Sequence, residues 1–417
     1  MKNYQLIGEK LAHSFSKEIH GAFSEYCYDL KEIAKEDLES FVKKCELDGF
    51  NVTIPYKKAI IPYLDKIDDV AKNIGAVNTV VIKDGKKFGY NTDFYGFEYL
   101  LKHCDIELEN KKVLILGSGG TSQTVQAVAK HHGAKEIVVV SRSGENNYQN
   151  ISRHSDADVV VNTTPVGMFP NNYDSVIDIS DFKNLSGVVD VIYNPMMTKL
   201  LYDAKKRKIN YSNGLPMLVA QAKYSRDLFM GNKISDDIID EILIQQRRKL
   251  ANILLIGMPG SGKTSVGEEI AKRLGRQFFD TDAMIIERNG KSIMEVFAER
   301  GEEFFRSVES ETMLEIGKKN GIVIATGGGI VKTDANDFAM QQNCFVVYVD
   351  RDIDRLARNG RPLSKDVNTL AEIYRERQSK YHTWSDFVVQ NDKSINDCVK
   401  KIMEKYDECI AEKINKY

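Results

Sequence analysis

Gly257-Met-Pro-Gly260-Ser261-Gly262-Lys263-Thr264-Ser265 fits the phosphate-cradling pattern G-x-x-x-x-G-K-[ST] in full. Glycines at those places let backbone N–H groups turn inward around a polyphosphate. The lysine reaches the β- and γ-phosphates, and the threonine hydroxyl ligates Mg²⁺. An apolar strand-like run, Asn252–Ile256, precedes the loop and a helical pattern follows it, so the positive end of a helix adds to the site. Further on, Asp280-Thr-Asp282 closes a second apolar run. Side chains alternate along a strand, so both acids can point one way; one then helps hold Mg²⁺ and the other receives a substrate hydroxyl. A D-T-D of this kind equally caps a helix. The chemistry indicated is transfer of the ATP γ-phosphoryl group.

A different chemistry is written in the first half. Gly117-Ser-Gly119-Gly120 follows the run Val113–Leu116 and opens a helical pattern, the context in which glycines hold a dinucleotide pyrophosphate; Ser122 stands where a third glycine or alanine is usual. The next strand, Glu136–Val140, ends in Ser141-Arg142. An acid there would bind the ribose 2′-hydroxyl of NAD, whereas an arginine suits a 2′-phosphate, so NADP is favoured. Upstream, Lys57 and Asp93 make a proton relay suited to carbonyl reduction: the lysine gives the proton and the acid orients it. Ser14 and Ser16 sit at i and i+2; on an extended segment both face one side and can bind a carboxylate, although a helix cap is an equal reading. His13 beside them reads as a structural loop histidine.

The elements that must position these groups are α/β throughout. The chain has 417 residues, enough for two or three domains. A formal net charge of −2 gives no broad basic field for nucleic acid or an anionic membrane. Six cysteines without C-x-x-C spacing point to reduced thiols, and the first residues carry no apolar signal segment, so a cytoplasmic enzyme is expected. No run of eighteen apolar residues occurs. Residues 1–102, completed by 213–248, read as a substrate lobe with mostly parallel strands. Residues 103–212 read as a Rossmann-like lobe and 250–417 as a P-loop lobe. An amphipathic helix over 234–249 ends the first part, and the join falls near 248–251 with almost no linker.

Over residues 250–417, the P-loop, Asp280-Thr-Asp282, Gly301-Glu-Glu-Phe-Phe-Arg306, Gly327-Gly328-Gly329, Arg358-Asn-Gly-Arg361 and Arg377-Gln-Ser-Lys-Tyr381 resemble, in that order, shikimate kinase, a P-loop enzyme of nucleoside monophosphate kinase type. The resemblance implies that Asp282 binds shikimate and acts as base, Asp280 joins the Mg²⁺ shell, and Arg306 and Arg377 clamp the carboxylate. It also implies that Gly328 and Gly329 approach the ring, Arg361 steadies the transferring phosphoryl group and Arg358 lies near adenine. The lid between Arg358 and Arg361 is very short, and Ser379 stands where the family has proline. Over residues 1–247, Asn51-Val-Thr53-Ile-Pro-Tyr-Lys57, Gly75-Ala-Val-Asn78, Asn91-Thr-Asp93, Asp190-Val-Ile-Tyr193 and Asn213-Gly214-Leu-Pro-Met217 with Gln221 resemble shikimate dehydrogenase, with Lys17 in place of a frequent proline. This implies that Ser14 and Ser16 hold the substrate carboxylate, and that Thr53, Asn78, Asp93 and Gln221 hold its hydroxyls. Lys57 is then the acid/base, Tyr193 borders the substrate, and Gly214 and Met217 sit beside the nicotinamide.

Together the two resemblances imply NADPH-dependent reduction of 3-dehydroshikimate followed by ATP- and Mg²⁺-dependent phosphorylation of shikimate, in chorismate and aromatic amino-acid biosynthesis. The partners implied are these small molecules, with no nucleic acid or membrane, and a homo-oligomer is compatible. A competing reading is a quinate/shikimate dehydrogenase fused to a regulatory nucleotide-binding module. Arg142 argues against its NAD preference; Lys263, Asp282 and Arg361 argue against a silent second half.

Overall fold

The computed structural model describes residues 2–11, 14–356 and 367–412. His13, Arg358 and Arg361 lie outside the described residues. The chain divides into two compact units: the first runs to Leu243 apart from Pro195–Met197, and the second begins at Ile244.

The first unit contains two sheets. One comprises β1 (Asn3–Gly8), β2 (Cys27–Glu32), β3 (Gly49–Val52), β4 (Lys66–Ile67), β5 (Thr79–Lys83) and β6 (Lys86–Tyr90), in the order β2-β1-β3-β5-β6-β4. β1 pairs in parallel with β2 and β3, but β5 runs antiparallel to both β3 and β6. The reversal is made by Asp84-Gly85, whose φ angles are +51° and +73°. Two positive φ values form the primed turn that matches strand twist, and Asp-Gly is its usual sequence. Ile7, Phe50, Val52, Val77 and Val80 build the core on this sheet.

The second sheet comprises β7 (Lys112–Leu116), β8 (Glu136–Val140), β9 (Val159–Asn162), β10 (Gly187–Asp190) and β11 (Asn210–Ser212), in the order β11-β10-β9-β7-β8. All its pairings are parallel. Its central strands are buried apolar runs because helices cover both faces, and each fully buried aliphatic side chain there contributes about 1.5–3 kcal/mol. The chain leaves β7 for β8 on one side and returns to β9 on the other. The turns after β7 and β9 therefore open onto one crevice at the strands' carboxyl ends, where ligands bind in such sheets.

The second unit holds a third parallel sheet of β12 (Asn252–Ile256), β13 (Phe278–Asp280), β14 (Val323–Ala325), β15 (Cys344–Asp350) and β16 (Phe387–Gln390), ordered β13-β14-β12-β15-β16. Ile253, Leu255, Val347, Val399 and Ile402 anchor its main core. Ile285, Val296, Phe305 and Val308 form a separate small cluster under the helices Thr281–Asn289 and Ile293–Ile316. No helix among the described residues is long and apolar enough to cross a membrane.

Candidate active sites

A cavity of about 740 Å³ opens at the carboxyl ends of β1 and β3. Ser14, Ser16, Thr53, Lys57, Asn78, Asp93, Tyr193, Gly214, Met217 and Gln221 all line it. Lys57 Nζ lies 2.6 Å from Asp93 Oδ2. Asp93 occupies the first turn of the helix Thr92–His103, capped by Asn91, whose side chain accepts from Phe94 N–H at 3.3 Å. A carboxylate at a helix N-terminus is favoured by the dipole, so Asp93 suits the anionic partner of a lysine. Gly214, Met217 and Gln221 meet the cavity because they recur at helical spacing along Leu215–Met230 and its N-cap. A side chain at Gly214 would collide with the Val191 carbonyl.

Of the two readings of Ser14 and Ser16, an extended segment and a helix start, the structure takes the second. Phe15 has φ −85° and ψ −1°, Ser16 begins the helix Ser16–Gly21, and Ser14 Oγ accepts from Ser16 N–H at 3.3 Å. The serine hydroxyl satisfies one of the orphan N–H groups of a helix start, which is why the segment turns.

A second cavity, of about 630 Å³, shares Ile54 and Thr121 with the first and is lined by Gly117–Gly120, Ser141, Arg142, Tyr148 and Thr163–Val166. Gly117 has φ +104°, and a Cβ there would stand 2.8 Å from Thr163 Oγ1 after β9. Gly119 and Gly120 face open space at the start of the helix Gly120–His131. The open glycines, the helix N-terminus and Arg142 suit a phosphorylated dinucleotide.

In the second unit, Gly257, Gly260 and Gly262 have φ of +141°, +90° and +97°, values at which a β-carbon is strained. Lys263 Nζ donates to the Gly257 and Met258 carbonyls, at 2.9 Å each. Asn391, beyond β16, pins the loop by donating to Ser261 O at 2.7 Å. Thr264 Oγ1 donates to Asp280 Oδ2 at 2.8 Å, while Asp280 Oδ1 accepts from Asp282 N–H at 3.0 Å and Ala283 N–H at 3.2 Å. Asp280 is thus both helix cap and partner of the P-loop threonine, and Asp282 lies within the helix, not on the strand. Ser265 follows in the exposed first turn of the helix Lys263–Leu274. The Thr264 hydroxyl and Asp280 carboxylate fit Mg²⁺, a hard ion that takes one or two protein oxygens and completes its shell with phosphates and water. Among the described residues no group of three or more His, Cys, Asp or Glu could hold a metal ion.

A second cluster is assembled around Gly327–Gly329, directly after β14. A Cβ on Gly327 would stand 2.5 Å from Asp282 Oδ1, one on Gly328 2.6 Å from Pro259, and one on Gly329 would collide with the Arg306 guanidinium. Only glycines allow Asp282, the P-loop and Arg306 to meet here. Arg377 Nη1 donates to Gly328 O at 2.9 Å, and the Tyr381 hydroxyl donates to the same carbonyl. Arg306 Nη1 lies 2.5 Å from Glu309 Oε2. Glu309 is 1% exposed, and burial pushes its carboxyl up to about 7, with the Arg306 charge opposing and Asp282 adding to the rise.

Two family models match the chain: the shikimate dehydrogenase substrate binding domain over residues 6–80 and shikimate kinase over residues 259–407. A shikimate dehydrogenase (NADP(+)) of Clostridium beijerinckii is 37% identical over 262 residues, spanning 57% of this chain and 97% of its own length. The chain belongs to the shikimate dehydrogenase family. The dehydrogenase half is likewise 37% identical to the enzyme of Methanococcus vannielii, over 57% of this chain and 95% of that one. Among solved structures, a chorismate mutase/shikimate 5-dehydrogenase fusion from Clostridium acetobutylicum aligns with TM-score 0.55 and 36% identity, covering 58% of this chain and 96% of its own. The shikimate 5-dehydrogenase of Thermus thermophilus in complex with NADP(H) and shikimate aligns with TM-score 0.54 and 29% identity, over 58% and 98%. The remainder of the chain is the shikimate kinase domain, so the protein is a fusion of the two.

Several groups that shape the dehydrogenase and kinase sites carry no motif. In the dehydrogenase half, Ser225 Oγ meets Asn51 Nδ2 at 2.9 Å, Thr79 Oγ1 at 2.9 Å and Thr92 Oγ1 at 3.0 Å, all buried. Asn78 Oδ1 accepts from Thr92 N–H at 2.7 Å on the same network. In the kinase half these groups are Glu309 and Asn391. The i,i+3 spacing of Arg306 and Glu309 was a local signal for their pairing; nothing local announced its burial.

Proposed function

We propose that the chain reduces 3-dehydroshikimate to shikimate with NADPH and phosphorylates the shikimate 3-hydroxyl with ATP. The observation that carries the first step is the Lys57–Asp93 ion pair facing a cavity whose walls also bear the two serines, Thr53, Asn78 and Gln221. Bound NADPH supplies the hydride to the C3 carbonyl carbon. Lys57 holds the proton that the carbonyl oxygen takes up, and Asp93 keeps the lysine aimed. Ser14 and Ser16 bind the carboxylate, and Thr53, Asn78 and Gln221 fix the hydroxyls. Tyr193 borders the ring, its phenol held neutral by burial, which raises its pKa.

In the kinase half, ATP supplies the phosphoryl group and Mg²⁺, held by Thr264 and Asp280, would neutralise its charge. Lys263 binds the phosphates, and Asp282 orients the attacking hydroxyl and takes its proton. Arg306 and Arg377 grip the carboxylate as planar forks. Residues 1–102 with 213–248 thus serve the first substrate, 103–212 NADP and 250–417 ATP and shikimate. None of the six cysteines forms a disulfide among the described residues, which suits a reducing cytoplasm.

A coupled assay tests both halves: 3-dehydroshikimate, NADPH, ATP and Mg²⁺ with the whole chain, following NADPH and shikimate 3-phosphate together. Stoichiometric loss and gain are expected. Accumulation of shikimate would overturn the kinase assignment, and no NADPH loss the reductase assignment.

A further inference from the structure

We infer that Tyr148 is a second, uncharged donor to the 2′-phosphate of NADP beside Arg142, and so helps set the choice of NADP over NAD. This rests on the dehydrogenase reading above. Among the described residues lining the 630 Å³ cavity, Arg142 is the one charged side chain and Tyr148 the one aromatic. The segment that follows β8, Ser141-Arg142-Ser143-Gly144-Glu145-Asn146-Asn147-Tyr148, contains a single cation, and its other charged residue is an acid. A phosphate monoester offers several strong acceptor oxygens, and one guanidinium satisfies at most two of them at once. Serine and threonine hydroxyls, Ser141 among them, also line the cavity, and the Tyr148 phenol, which feels the Arg142 charge, is the lining hydroxyl with the longest side-chain reach.

The loop that carries Tyr148 is built to hold it still. Ser141 N–H donates to Asn146 O at 3.1 Å, and the side chain of Asn146 meets His154 Nε2 at 3.0 Å. Asn147 N–H donates to Asn150 Oδ1 at 2.9 Å, and Asn150 Nδ2 returns to Glu145 O at 2.9 Å. Asn147 Oδ1 accepts from Gln149 N–H at 3.0 Å and Asn150 N–H at 3.3 Å. Tyr148 therefore sits between two residues whose backbone groups are tied within the loop. The backbone that carries the half-buried ring is thus ordered before any ligand arrives, which lowers the ordering cost of binding. Burial raises the phenol's pKa while the Arg142 charge opposes the rise, so near neutral pH the hydroxyl keeps its proton and remains a donor.

The same ring could instead stack on adenine, and the two roles separate cleanly. Adenine is common to NADP and NAD; the 2′-phosphate is not. The test is calorimetric titration of the full-length protein with NADP⁺ and with NAD⁺, for the wild type, Tyr148→Phe and Arg142→Ala. Tyr148→Phe keeps the ring and removes only the hydroxyl, and unchanged thermal unfolding checks the fold. The expected result is a loss of about tenfold in NADP⁺ affinity, the scale of one hydrogen bond to a charged group, with NAD⁺ affinity unchanged. Arg142→Ala lowers NADP⁺ affinity further. Equal losses for both dinucleotides, or no loss for either, overturn the inference while a wild-type preference for NADP⁺ keeps the dehydrogenase reading. A wild type that binds neither dinucleotide removes both.

Discussion

Lys57 and Asp93, 36 positions apart in the chain, meet at 2.6 Å with both side chains less than one-fifth exposed. Lys57 lies in the loop after β3 and Asp93 in the first turn of a helix after β6, so each is fixed by a different element. A partly buried lysine held by a fixed carboxylate is aimed, as a proton donor to a developing alkoxide must be. Lys57→Ala and Asp93→Asn should each lower NADPH-dependent turnover by about 10²- to 10⁴-fold. Shikimate phosphorylation by the same variants should be unaffected, and assaying the two reactions separately checks this. A variant retaining most reductase turnover would remove the pair from the chemistry.

The Thr264–Asp280 contact predicts a metal-linked defect. Asp280 also caps the helix Thr281–Asn289, so Asp280→Asn keeps a capping oxygen while removing the charge. This variant should need about tenfold more Mg²⁺ for half-maximal kinase rate, the scale of one charge-assisted interaction. Titrating Mg²⁺ at fixed ATP gives the answer, and an unshifted curve would count against Asp280 as part of the metal shell.

Glu309 gives a pH dependence with a definite sign. Its carboxyl is raised from 4.5 to about 7 by burial, so the native state holds a proton that the unfolded chain has released. Its contribution to stability is therefore fully present below 4.5 and is lost as the pH climbs through about 7. The same ionisation turns Glu309 into a competitor for Arg306. The KM for shikimate in the kinase reaction should rise on going from slightly acid to slightly alkaline pH, and Glu309→Gln should flatten that profile. A profile with the same slope in the variant would rule Glu309 out as its cause.

Ser225 joins Asn51, Thr79 and Thr92 in a buried network with no charge. Ser225→Ala leaves their polar groups short of a partner inside the core and should cost about 1–3 kcal/mol. Denaturant unfolding would show a lower midpoint. An unchanged midpoint would mean that the network closes without Ser225.

The chemistry was legible in the sequence because its signals are local. A glycine-rich turn between an apolar run and a helix states its own structure, and both such turns lie where the carboxyl ends of β7 and β12 place them. Asp84-Gly85 is a local hairpin signal that the expectation of mostly parallel strands passed over. The residues around Lys57, Asn78, Asp93 and Gln221 carried their types and order, but not the fact that one cavity gathers them. Ser14 and Ser16 show where local reading ends. Their spacing is the same on an extended segment as on a helical turn, and the orphan N–H groups of the helix start decided for the turn. Glu309, Ser225 and Asn391 had no motif at all, and Tyr381 lay in one that said nothing of its role. What they do depends on burial and on partners far along the chain: Asn391 holds a loop 130 positions away, and Ser225 an amide 174 away. Residue types and short spacings thus determined which reactions the chain can perform. Only the tertiary structure decided which side chains lose water, and with it which of them must pair, shift their protonation or hold another in place.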